Sequence, residues 1–318
     1  MNVRQRHERV LKLGVCAVAF AMVSALAGCS GSSGAPVIGR PSGSTADPVN
    51  RVKRMNVLAQ TGMIADAARI VGGDRADVVA LMGPGVDPHL YQPTARDQGK
   101  LKSAEVVFYN GLHLEGKMVE IFESMAKSRP GRIVAVSHEL KDDQLLAWED
   151  AAGQHDPHIW FDVRLWQQVV RTIEKTYCEI DAAGADGYHD RAAEHLKELD
   201  ELHDYCLKRA EELPAEQRLL ITSHDAFHYF GRAYGFEVVG IQGISTETEA
   251  GLKAITDAVD LIKQRKLRAI FPESSVPRAA IERVAQDSGA MLGTELFSDA
   301  LGDPDSSAGT YVGMIRTN

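Results

Sequence analysis

The sequence predicts an α/β protein of two similar lobes, each a mostly parallel sheet flanked by helices, with one long helix joining them. Three observations carry that expectation. From Met55 to Ser137, short β-rich runs alternate with helically spaced segments. From Val163 to about Ile180, Val163, Trp166, Val169, Val170, Ile173 and Tyr177 recur at three- and four-residue spacing. After Pro214 the alternation restarts. Alternating strand and helix signals mark a parallel sheet, and three-four spacing marks one apolar helix face.

The chain opens on a basic leader, Arg4, Arg6, Arg9 and Lys12, followed by an apolar run from Leu13 to Leu26. That run is shorter than the ~18–20 residues a spanning helix needs, and small residues follow it, the pattern of a secretory signal over 1–28. Leu26-Ala27-Gly28-Cys29 resembles the bacterial lipobox, which makes Cys29 the expected lipidated first residue of the mature chain. Residues 29–50 are rich in Gly, Ser and Pro and read as a flexible tether, with an r.m.s. span of ~25 Å.

The first lobe is expected over 51–162. Its strands are Met55–Gln60, Asp77–Met82, Glu105–Asn110 and Arg132–Ser137, and its helices Thr61–Val71, Ala95–Ser103 and Glu115–Lys127. The linker helix occupies 163–185, with Asp162 placed to cap it. Ala182–Gly187 interrupts the helical pattern, which resumes over Tyr188–Leu213. The second lobe, 186–318, has strands at Arg218–His224, Phe236–Gly243, Arg268–Glu273 and Ala290–Phe297. Its helices are Ala226–Tyr234, Thr248–Arg265 and Pro277–Ser288. If the two long helices pair antiparallel, Cys178 and Cys206 lie on the order of 24 Å apart along the axis, so both are expected as free thiols.

Composition narrows the function. The 318 residues are 44% hydrophobic and 25% charged, with a formal charge of −9. An acidic chain without a basic face is no nucleic-acid binder. Four cysteines without C-x-x-C spacing exclude a disulfide scaffold and a thiolate zinc site. Without its leader, which carries four basic residues and one acidic, the chain would hold 290 residues at −12.

Eleven histidines remain the informative feature. Asp87-Pro88-His89 and Asp156-Pro157-His158 repeat one tripeptide after strand-rich stretches, and His224 ends a strand. Open α/β sheets bind ligands at the carboxyl ends of their strands. Imidazole nitrogens suit zinc and other first-row divalent metals, and Asp299, just past the last strand, is a candidate fourth ligand. From the residues alone a metal site and ordinary loop histidines are about equally plausible.

The longer motifs go further. They are Asp87–Thr94 (DPHLYQPT), Asn110–Glu115 (NGLHLE), Asp156–Trp160 (DPHIW), Thr222–Phe227 (TSHDAF), Phe271–Ser275 (FPESS), Glu295–Gly302 (ELFSDALG) and Gly309–Tyr311 (GTY). In this order they resemble the zinc- or manganese-binding lipoproteins of bacterial ABC importers, the TroA-like solute-binding proteins. The resemblance runs from about Asn56 to the end. It implies two α/β lobes joined by one rigid helix and four metal ligands: His89 and His158 from the first lobe, His224 and Asp299 from the second. It implies a monomeric, non-enzymatic receptor outside the cytoplasm, anchored by lipid at Cys29. The receptor would take Zn2+ or Mn2+ in the interlobe cleft and deliver it to a permease and its ATPase. Glu273, after a strand, is placed to orient a ligand histidine.

The remaining histidines are expected to be ordinary. His113 has at most a supporting role, His155 is loop surface, and His228 is a helix residue one turn after His224. His138, His189, His195 and His203 are expected in solvent. Glu247 and Glu249 read as loop or helix N-terminal acids. Two features depart from the family: Glu139–Gln154 carries no histidine run, and the chain stops at Asn318, where relatives continue the last helix. The readings that compete are a zinc-dependent hydrolase using His89, His158 and His224, and a lipid-anchored surface adhesin. No His-Glu-x-x-His helix or nucleophile elbow supports the former.

Overall fold

The computed structural model describes residues 53–318; the expected signal segment, Cys29 and the tether lie outside the described residues. The strands β1 (Met55–Ala59), β2 (Ala76–Ala80), β3 (Val106–Tyr109) and β4 (Ile133–Ala135) form a parallel sheet in the order β2-β1-β3-β4. Their two-residue period divides the side chains between two cores. Met55, Val57, Ala59, Val106, Phe108 and Val134 enter one, and Leu58, Val107 and Ile133 the other. Burial on both faces is why β1, β3 and β4 read as continuous apolar runs, whereas the edge strand β2 leaves Asp77 and Val79 exposed. Helix α1 (Gly62–Gly72) covers the first face, while α2 (Ala95–Ser103) and α3 (Val119–Ser128) send Leu101 and Phe122 to the second.

Helix α4 spans Val163–Ile180, and the Asp162 carboxylate accepts the Arg164 N–H at 2.9 Å, closing its first turn as the sequence predicts. A short 3-10 turn, Ala182–Gly184, leads into α5 (Ala185–Glu211), which packs against α4. Asp181 fixes this corner: it accepts two bonds from Arg75, at 2.6 and 2.8 Å, and one from the Tyr188 hydroxyl at 2.7 Å. Cys178 and Cys206 are free thiols, as their positions along the two helices require. The expectation of a solvated His195 is wrong. It lies on the inward stripe of α5 with Ala192, Leu196, Leu199 and Leu202, and is only 2% exposed. Its place on that stripe, three residues after Ala192, was readable from the helical period.

In the C-terminal half, β5 (Leu219–His224) pairs with β6 (Glu237–Gln242), and β7 (Ala269–Ile270) with β8 (Met291–Leu292), all in parallel. A bridge between Thr222 and Phe271 joins the pairs, so the order β6-β5-β7-β8 repeats that of the first sheet. Helices α7 (Leu252–Arg265) and α8 (Ala279–Ser288) cover one face, packing on Ile221, Ile241 and Ile270. Helix α6 (His228–Tyr234) lies on the side of the larger core. Strands β7 and β8 are shorter than the expected Arg268–Glu273 and Ala290–Phe297. The partner of Ile270 is Leu292 but that of Glu273 is Leu296, so one extra residue interrupts the ladder. Pro272, which has no N–H to donate, sits at the interruption.

The resemblance places a last helix at the tail without bounds, and Tyr311–Thr317 forms it, α9, capped by Thr310. Tyr311 stacks on Trp166 of α4 with ring centroids 4.8 Å apart, and its hydroxyl donates to the Trp160 carbonyl at 2.7 Å. One core thus runs from Met55 through α4 and α5 to Ile315, binding both halves together. No described helix is long and apolar enough to cross a membrane. Because Trp166 is fully buried in this shared core, Trp166→Ala should cost about 3–5 kcal/mol in denaturant unfolding. Leu252→Ala, at a side chain 80% exposed, should stay within about 0.5 kcal/mol of the parent.

Candidate metal centre

Each of the four residues singled out in the sequence sits where a strand has ended or its ladder lapses. His89 lies in the loop after β2, His158 in the loop before α4, His224 at the last position of β5, and Asp299 three residues after the Leu296 bridge. The fold brings all four together, two from each half of the chain, with one donor atom of each within 4.8 Å of every other. All are buried to 2% exposure or less.

The donor spacing is specific. The Nε2 atom of His158 lies 3.3 Å from that of His89 and 3.4 Å from that of His224. Asp299 oxygens lie 3.4 Å from His224 Nε2, 3.5 Å from His158 Nε2 and 3.9 Å from His89 Nε2. A tetrahedron with metal bonds of about 2.0–2.1 Å has edges of about 3.3–3.4 Å. Neither oxygen of Asp299 finds a hydrogen-bond partner, although both are buried. An unpaired buried carboxylate is costly unless a cation meets it.

Two ligands are aimed by carboxylates. Asp156 accepts both the backbone N–H of His158, at 2.9 Å, and its ring Nδ1–H, at 2.7 Å. Glu273 treats His224 in the same way, its Oε1 accepting the backbone N–H at 2.8 Å while Oε2 bonds Nδ1. With Nδ1 engaged, each ring turns Nε2 to the centre. The role expected for Glu273 is therefore visible as contact. That of Asp156 was missed, although its signal, an aspartate two residues before each histidine, stood in the repeated tripeptide. The repeat is not symmetric: from His89, Asp87 accepts the backbone N–H, at 2.8 Å, and not the ring, and among the described residues no hydrogen bond reaches His89 Nδ1. Asp299 is held through its neighbour, since Trp160 Nε1 donates to the Ser298 carbonyl at 2.9 Å.

Electrostatics follows from this shell. Burial pushes His89 down to about 3, so its ring is neutral at physiological pH. Burial would lower His224 too, but the Glu273 and Asp299 carboxylates outweigh it and hold His224 well above the usual imidazole range. Asp299, despite burial, is held below the usual carboxylate range by His224, His158 and His89. Burial pushes Glu115 up to about 8, and it accepts the Gly111 N–H at 2.7 Å, bracing the loop behind His89.

Among the described residues, the other histidines do not join the cluster. His113 is exposed, in a loop where Gly111, Leu112 and His113 all have positive φ. His155 is partly buried, and His228 bonds Asp225 at 2.7 Å.

Comparison with known proteins agrees with this geometry. The family model described as zinc-uptake complex component A, periplasmic (ZnuA), matches residues 57–318. The zinc-binding protein TroA of Treponema pallidum is 41% identical over 312 residues, covering 96% of both chains. The manganese-binding lipoprotein MntA of Bacillus subtilis is 37% identical over 316 residues, covering 97% of both. The solved structure of the periplasmic zinc-binding TroA from Treponema pallidum superposes with a TM-score of 0.80 at 43% identity, covering 83% of this chain and 96% of that one. With a model matching most of its length and relatives this similar along almost all of it, the chain belongs to the zinc-uptake complex component A family.

Proposed function

We propose that this chain is the substrate-binding protein of an ABC importer, and that it captures one zinc or manganese ion with His89, His158, His224 and Asp299. The observation that carries the proposal is the buried cluster of three Nε2 atoms around an Asp299 carboxylate that has no hydrogen-bond partner among the described residues. Relatives named for zinc and manganese binding support the cargo class. Three imidazole nitrogens and a carboxylate supply four protein donors, the number that fills a closed zinc shell, which suits capture rather than catalysis. The working division is a first lobe over 51–162, a linker over 163–185 and a second lobe over 186–318. Anchored as a monomer through lipid on Cys29, the protein would meet its permease and ATPase outside the cytoplasm. Release then requires the permease to part the two ligand pairs.

Metal content and calorimetry test the ligand set. The protein should bind one zinc per chain, Asp299→Ala should weaken binding by orders of magnitude, and His113→Ala should leave it unchanged. Equal losses in the two variants would refute the assignment. Glu273→Gln should cost about 10–100-fold in affinity, the usual effect of releasing a carboxylate that orients a ligand histidine.

The pH dependence has a definite sign. Metal can take His224 Nε2 only after the proton held there by its anionic neighbours leaves, so binding releases protons and affinity falls with falling pH. His89, already neutral, adds little to this. Below the raised value of His224, affinity should change about tenfold per pH unit for each proton released. Calorimetry at pH 7 in buffers of different ionisation enthalpy should register release of about one proton from His224; no release would contradict its charged state.

A further inference from the structure

The two edges of the metal centre are fastened differently. On the His158 edge, two fully buried aromatics cross between the halves of the chain. Trp160 Nε1 donates to the Ser298 carbonyl at 2.9 Å, and the Tyr229 hydroxyl donates to the Asp156 carbonyl at 2.9 Å. On the His89 edge the crossing is one hydrogen bond. The Thr246 hydroxyl donates to Asp87 Oδ2 at 2.6 Å, and Asp87 Oδ1 accepts the His89 backbone N–H at 2.8 Å. Thr246 is buried, but Asp87 is partly exposed and the next residue after His89, Leu90, is 47% exposed.

Thr246 is itself positioned from the opposite ligand. In the β5–β6 ladder Gln242 is the partner of His224. Its side-chain amide donates to the carbonyls of Thr246, at 2.9 Å, and Thr248, at 2.7 Å, shaping the turn that presents the hydroxyl. Behind His89 the wall is fixed: a Cβ at Gly116 would stand 2.3 Å from the His89 carbonyl oxygen, so the backbone there is in close contact. A continuous path therefore runs from the His224 register through Gln242, Thr246 and Asp87 to the backbone of His89. This ligand ring lacks the carboxylate on Nδ1 that holds the other two.

We propose that Thr246 is a positioning residue for His89, and that its hydrogen bond to Asp87 is the latch whose opening precedes metal release. The inference rests on the metal-receptor reading above. With the His158 edge fastened by buried aromatics, parting the ligand pairs begins where one partly exposed bond holds, and His89 is the first ligand to leave. The carboxylate of Asp87 then exchanges the Thr246 hydroxyl for water, so opening costs that one bond when a partner pulls the two loops apart.

The test uses the full chain loaded with Zn2+ and follows transfer of the ion to excess chromophoric chelator. Thr246→Val, which keeps the shape and removes the hydroxyl, should speed release about tenfold or more, as expected for losing a hydrogen bond to a carboxylate. The association rate should not change, and the metal-free protein should still unfold cooperatively. Thr246→Ser, which restores the hydroxyl, should return release to the parent rate. Release from Thr246→Val at the parent rate would overturn the latch, as would fast release that Thr246→Ser does not correct. A parent protein that takes up no zinc would instead strike down the receptor reading, and the latch with it.

Discussion

The Asp299 carboxylate is the group around which the rest of the molecule is arranged. Both its oxygens are buried and neither has a hydrogen-bond partner, while three imidazole Nε2 atoms stand 3.4 to 3.9 Å away. A charge in that position costs several kcal/mol unless something positive meets it. Part of the compensation is mutual, since the Asp299 and Glu273 carboxylates hold His224 well above the usual imidazole range. A divalent cation compensates more fully, since it also takes the lone pairs of all three rings. The site is thus strained toward metal by its own desolvation, and the shared core through α4, α5 and α9 keeps its walls from relaxing around the empty charge.

The support around the ligands is graded. His158 and His224 have their rings fixed by Asp156 and Glu273, and Asp299 is tied through Ser298 to Trp160. His89 is held only by its backbone. A receptor must bind tightly and still give up its cargo, and a site with three firmly aimed ligands and one lightly held ligand meets both needs. Metal identity is a separate matter. Three nitrogens and a carboxylate suit zinc, and bidentate binding by Asp299 would raise the coordination number for manganese. The Irving–Williams order favours zinc in vitro whatever the cell imports.

Much of the fold was legible because its central strands are buried on both faces and its helices carry one apolar stripe. The first sheet fell within a residue or two of its expected bounds, while α4 starts at the expected Val163 but ends at Ile180, five residues short of the expected linker end at 185. The rest depended on facts that lie between segments. An extra residue near Pro272 shortened β7 and β8, and α9 formed because Tyr311 found Trp166 far away in sequence. The four residues of the centre stood out by motif, but their support did not: identical tripeptides gave Asp156 a grip on a ring and Asp87 a grip on Thr246. That difference is set by what the C-terminal half places opposite each loop. His195 was misread although the helical period placed it inward, because a histidine was taken for a polar surface residue.

Four protein donors alone should close the coordination sphere, which X-ray absorption at the zinc edge of the loaded protein reads out. The spectrum should show four nitrogen or oxygen neighbours at about 2.0–2.1 Å, with outer-shell scattering from three imidazoles. A sulfur neighbour, fewer than three imidazoles, or a five- or six-coordinate shell completed by water would contradict it.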